Sequence, residues 1–139
     1  MKLYHFSKAE PWPAIRASRE LRPLWTSSAS KAGAALTVHF SDSDDPQTLP
    51  WALMDSRPIR FAVEIPDDQA LSWQEWGREF IEPEGWYSLG VKNKWAPPEH
   101  ALTSVNIGAD HWFVSEHAVP ASSWIEVVDL RDGSHLWPL

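Results

Sequence analysis

Twelve prolines and ten tryptophans run through a chain of 139 residues, and together they limit its fold more than any other feature of the sequence. Proline fixes φ and carries no backbone donor, so it ends helices and central strands. A chain punctuated this often has to be built from many short elements joined by fixed turns. Tryptophan buries a large area per residue, so a few of them form a core without many aliphatic side chains. Most of the ten are expected in packing: Trp73 and Trp76 on a helix, Trp112 and Trp124 in or beside a sheet. The length fits one domain over residues 1–139. Hydrophobic residues make up 43% and charged residues 22%, the proportions of a globular chain with a core of its own.

Charge and residue types remove several function classes. Nineteen acidic residues against twelve Lys and Arg give a formal charge of -7. A chain this acidic gains little from general attraction to phosphate backbones, which argues against an extended nucleic-acid footprint. Cysteine is absent, and with it disulfides, thiol nucleophiles, iron–sulfur clusters and thiolate zinc sites. There is no glycine-rich phosphate loop, no G-x-S-x-G elbow and no H-E-x-x-H, and the histidines have no ligand spacing, so no metal is expected. No apolar run reaches bilayer length, and the start lacks the apolar stretch of a secretory leader. The sequence therefore reads as that of a cytoplasmic protein with no membrane partner.

Local patterns place the elements. Alternation marks strands at Lys2–Phe6, Ala35–Ser41 and Pro58–Ile65, and His111–Ser115 and Ser123–Leu130 also read as strands. The clearest is Pro58–Ile65, with Phe61, Val63 and Ile65 on one face and Arg60, Ala62 and Glu64 on the other. Pro11–Glu20 reads as a short helix with its prolines in the first turn. Asp67 and Asp68 are expected to open a second helix whose apolar stripe is Ala70, Trp73, Trp76 and Phe80. Residues 26–33 and 42–50 read as loops and 51–55 as a helical turn, while 86–98 is anchored by Trp86, Tyr87 and Trp95. The apolar tail from His135 is expected to dock back. No βαβ unit repeats, which favours an α+β fold with a small split or mixed, mostly antiparallel, sheet and two short helices.

Two short pieces taken together resemble a known family. Tyr4-His5-Phe6-Ser7 resembles the first motif of the ADP-ribosyltransferase superfamily, a Tyr-His-Gly-Thr-type segment that starts the first core strand. Val38-His39-Phe40-Ser41 resembles the second, an apolar strand ending in a hydroxyl residue. The run from His111 to Glu116, then Val119-Pro120 and Trp124 to Val128, is similar to the last part of that fold, and Pro58–Ile65 sits where a middle core strand would lie. Small bacterial and phage proteins beginning with a Tyr-His-Phe-Thr-like segment look similar, and the RNA 2′-phosphotransferase branch shares a comparable set of His and Arg.

The resemblance implies a split sheet with a cleft for NAD, which serves as substrate. It implies that His5 hydrogen-bonds NAD, that Ser41 supports the site, and that Tyr87 or Trp86 stacks on nicotinamide. It also calls for a late Glu just before the Trp112-Phe113-Val114 strand. That position holds His111 behind Asp110, while Glu116 stands at the far end of the strand, with Glu64 and Glu126 on others. The implied catalytic set is His5, His111 and Glu116, and the implied NAD-binding set is His5, Ser41, Arg60 and Tyr87. The reaction would be transfer of ADP-ribose to a macromolecule, a protein acceptor among them, or hydrolysis of NAD. The displaced late acid also admits a catalytically inactive domain of the same fold that binds a nucleotide or a protein partner, as in phage–host conflict. One geometric expectation follows from the strand patterns: His5, Arg60 and His111 project from neighbouring strands into one cleft and concentrate positive potential there.

Overall fold

The first alternating segment becomes the centre of a sheet. The structure, a computed structural model, describes residues 1–23, 36–45, 57–78 and 111–138. In chain order the elements are β1 (Lys2–Ser7), α1 (Trp12–Ser18), β2 (Glu20–Leu21), β3 (Val38–Ser41), β4 (Ile59–Glu64), β5 (Leu71–Ser72), α2 (Trp73–Arg78), β6 (Trp112–Ser115), β7 (Val119–Pro120), β8 (Trp124–Asp129) and β9 (Ser134–Trp137). Seven strands form one sheet in the order β5-β6-β3-β1-β4-β8-β9, and β2 pairs with β7 in a separate ribbon. Every pairing among the described residues is antiparallel. The protein is thus α+β with short helices. Among the described residues the sheet is antiparallel and continuous, where the sequence patterns left a split or mixed sheet open. The reason is that β1 pairs along both edges, so β3 and β4 are joined through it.

Register divides the sheet into two faces, because cross-strand partners project to the same side. Leu3 faces Val63 and His5 faces Phe61, while Phe61 in turn faces Val127. Phe40 lies opposite Phe113 on the next pair. This face carries the core: Leu3, Phe40, Phe61, Val63 and Val127 pack with Leu21 and Val119 of the ribbon, and Trp12 and Ile15 of α1 close over them. Trp124 is the hub of its aromatic part. It meets Phe61 at 5.2 Å and Trp137 at 5.3 Å, both edge-to-face, and its indole donates to the Val119 carbonyl at 3.2 Å. On the far side of the sheet Trp73 of α2 stacks edge-to-face on Trp112 at 5.2 Å. Trp73, Trp76, Trp112 and Trp124 are all buried, as their placement in periodic segments predicts.

The second helix differs from the expectation. Asp67–Gln69 is a single 3-10 turn, Ala70 leaves the helical region at φ -94° and ψ 87°, and β5 pairs with β6 before α2 begins at Trp73. That break at Ala70 lets Leu71 and Ser72 join the sheet edge, and the pairing displaces the helix start toward Trp73. The docking of the tail is more specific than expected, since it forms β9 along β8 after a turn in which Gly133 takes φ +74°. The segments 26–33, 51–55 and 86–98 lie outside the described residues. No helix among the described residues is long and apolar enough to cross a membrane.

α1 ends abruptly. Arg19 adopts the left-handed conformation at φ 57°, its N–H bonds the Ile15 carbonyl at 2.9 Å, and its own carbonyl receives the Ala121 N–H at 2.8 Å. This reversal turns the chain straight into β2. A side chain there carries a steric cost that glycine avoids. Arg19→Gly is therefore expected to raise stability by about 1 kcal/mol in urea unfolding. Trp124→Ala, which removes the aromatic hub, is expected to lower it by about 3–5 kcal/mol in the same measurement.

Candidate functional site

The centre of β1 places His5 between two aromatic rings. Phe40 and Phe61 lie edge-on to its imidazole at 6.0 and 5.7 Å. Its Nδ1 stands 2.8 Å from the His39 carbonyl oxygen. A carbonyl only accepts, so Nδ1 carries the proton and Nε2 keeps its lone pair. Burial pushes the His5 pKa down to about 4, against the opposing pull of the His39 carbonyl, and the Arg57 charge lowers it further. Burial also pushes His39 down, to about 3, with His5 and Arg57 adding to the effect. Both rings are neutral near pH 7. At that pKa His5 is a weak base, and its chemical capacity is that of a fixed hydrogen-bond acceptor.

Beside His5 a cavity of about 370 Å³ opens between α1, β2 and the strands β1 and β3. Its size falls within the range of small-molecule sites, roughly 300–1,000 Å³. Ile15, Leu21 and Val38 give it an apolar wall, and Glu20, Arg22 and Arg57 bring charge to it. The local fold explains this assembly. The left-handed turn at Arg19 carries Glu20 and Leu21 back past α1, and Leu21 is held against Val119 in the ribbon.

The other sequence-derived site residues are dispersed. Arg60 pairs with Phe6 in register whereas His5 pairs with Phe61, so Arg60 and His5 point to opposite faces of the sheet. The expected cleft of His5, Arg60 and His111 does not form. Arg60 instead lies over the Tyr4 ring at 5.8 Å and pairs with Glu126 at 3.5 Å. The register between β1 and β4 decides against the cleft. His5 shares its parity with Leu3, and Arg60 is out of phase with Phe61 and Val63. One core face takes Leu3, Phe61 and Val63 together, so His5 goes inward and Arg60 away.

His111 sits at the start of β6, its Nδ1 2.6 Å from an Asp42 carboxylate oxygen, and its carbonyl receives the Asp42 N–H at 2.9 Å. That pair closes the end of the β3–β6 ladder. Ser41 lies opposite Tyr4 and Trp112, on the face turned from His5, and its hydroxyl accepts the Ser43 N–H at 3.1 Å. Glu116 accepts the Trp76 indole N–H at 3.1 Å. None of these four residues lines the His5 cavity. Tyr87 lies outside the described residues. Glu20, Thr37 and Arg57, which do line the cavity, carry no motif that would single them out, and Arg22 reads in sequence only as part of a basic stripe with Arg16 and Arg19. No group of three or more His, Asp or Glu among the described residues has the geometry to hold a metal ion. No family model, curated protein or solved structure matches the chain.

The two depressed histidines make a pH dependence. Below the ordinary imidazole value of 6.5 the unfolded chain takes up protons that folded His5 and His39 refuse. Stability is therefore fully present above that value and falls as pH drops toward about 4, where folded His5 begins to protonate. The slope is on the order of 1 kcal/mol per histidine per pH unit. Urea midpoints measured across this window are expected to fall steadily for the native protein and less steeply for His5→Phe. Equal slopes for both would show that His5 is not held neutral by the fold.

Proposed function

We propose that this is an NAD-binding protein of the ADP-ribosyltransferase-like kind, with the nucleotide seated in the His5 cavity. The observation that carries this reading is His5 itself: a neutral imidazole, held through Nδ1 by the His39 carbonyl, that lines a cavity of nucleotide-fragment size. The motif that resembles the superfamily's first strand therefore supplies a side chain on a cavity wall. Nε2 would accept a hydrogen bond from a ligand hydroxyl. Arg22 and Arg57 would oppose a pyrophosphate, the planar guanidinium matching two phosphate oxygens at once. Ile15, Leu21 and Val38 would cover the apolar faces of the ligand. The reaction this supports is cleavage of the nicotinamide–ribose bond, with ADP-ribose passed to a macromolecule or to water.

A second reading is binding without glycosyl transfer. What favours it is the position of Glu116, which is held by the Trp76 indole and stands apart from the cavity. Titration calorimetry with NAD, followed by NMR detection of free nicotinamide, separates the two. Saturable binding is expected, weakened at least tenfold in His5→Phe, which keeps the aromatic packing and removes the acceptor; that factor corresponds to about 1.4 kcal/mol. Nicotinamide release supports transfer or hydrolysis, and binding without release supports the second reading. An absence of NAD binding would overturn both.

A further inference from the structure

Ser7, Thr37, Ser41 and Ser115 are the buried hydroxyl-bearing residues among those described. The three serines have partners. Ser7 donates to the Lys8 carbonyl at 3.0 Å, Ser41 accepts the Ser43 N–H at 3.1 Å, and Ser115 accepts the His117 N–H at 3.2 Å. The Thr37 hydroxyl has no hydrogen-bond partner, although the residue is 0% exposed. A buried hydroxyl without a hydrogen bond lowers the stability of a fold, so folding alone gives no reason to keep it. Valine has the same branched shape and no such cost.

Thr37 lines the His5 cavity. It directly precedes β3, whose register with β1 sets Ser41 opposite Tyr4. Away from that pair both strands border the cavity, β1 through His5 and Ser7, the β3 side through Thr37, Val38 and His39. Exposure grades the lining. The Arg22 and Glu20 side chains are 59% and 35% exposed, so charge stands at the mouth. Leu21 and Val38 are both buried, as Thr37 is, so the inner wall is neutral. A ligand that fills the cavity meets charge at its outer part, and neutral surface with one unmet hydroxyl at its inner part.

We propose that Thr37 is a specificity-determining contact of this cavity, its hydroxyl meeting an uncharged hydrogen-bonding group on a nucleoside end of the bound nucleotide. The inference rests on the NAD reading above and assigns the direction in which NAD enters: pyrophosphate toward Arg22, a nucleoside toward Thr37. A threonine hydroxyl both donates and accepts, so it matches a sugar hydroxyl or a polar edge of a base. The hydroxyl is already stripped of water in the free protein. Its desolvation is a cost of folding and not of binding, which leaves more of the new hydrogen bond for affinity. A ligand without a polar group at that place leaves the hydroxyl unmet and is bound less well.

The experiment compares calorimetric titration with NAD, and thermal unfolding without it, for the native full chain, Thr37→Val and Thr37→Ser. Thr37→Val is expected to bind NAD about tenfold more weakly, the scale of one lost hydrogen bond. The same variant is expected to melt about 3 °C higher, because an unmet buried hydroxyl is gone. Opposite shifts are the signature, since a residue that only supports the fold loses stability and affinity together. Thr37→Ser keeps the hydroxyl and is expected to bind within about threefold of native. Native affinity in Thr37→Val overturns the proposal. So does a midpoint that does not rise, because the hydroxyl is then satisfied within the fold. Equal weakening in Thr37→Val and Thr37→Ser assigns the effect to the methyl group and overturns it as well. Each of these results leaves the NAD reading standing, whereas no NAD binding by the native protein removes that reading and the proposal that rests on it.

Discussion

Hydrogen bonding along both edges of β1 is the constraint from which the other positions follow. With β3 on one side and β4 on the other, β1 sends Leu3 to one face and Phe6 to the other, and both are buried. A strand in that position cannot slip by one residue without exchanging its buried and exposed sets. The register of β4 against β1 then sets β8 and β9, and the register of β3 sets β6 and β5. The core is the sum of one face of these strands, capped by α1 and the small ribbon.

The same constraint creates the cavity and decides its chemistry. His5 occupies an inward position that an apolar residue would fill in an ordinary core. Burying a charged imidazole there would be costly, so the ring is neutral, and burying its N–H requires the acceptor that the His39 carbonyl supplies. The ring so held lines the cavity. The prolines and the left-handed turn around α1 have a matching effect: they keep the helix short, so it covers Phe61 through Trp12 and leaves the region next to His5 unfilled. The charges are sorted by the same logic. In a chain of formal charge -7, the cavity gathers two arginines and one glutamate.

Much of the fold was legible because the pleat writes a period of two into the sequence. The alternation at Lys2–Phe6 and Pro58–Ile65 corresponds to β1 and β4 within a residue or two, and the strand expected at Ser123–Leu130 is β8. Strands of two residues carry no such period, so the sequence pattern does not show β2, β5 and β7, and it starts α2 at Asp67 rather than Trp73. Of the site, His5 alone was legible. Glu20, Arg22, Thr37 and Arg57 meet it only because a helix, a turn and a ribbon fold over β1.

By itself, then, the sequence determined the local states: which segments extend, where prolines stop them, which faces are apolar, and that tryptophans would fill the core. Those properties depend on near neighbours and on spacing. Tertiary structure alone decided which strands lie side by side, and hence which polar residues share a face. Arg60 and His5 show why. Each looked like a polar residue at the edge of an apolar stripe, and the pattern of either segment was compatible with a shared cleft. Pairing Phe6 with Arg60 and His5 with Phe61 put them on opposite sides. Register between strands far apart in sequence is set by the packing of both together, and no local preference encodes it.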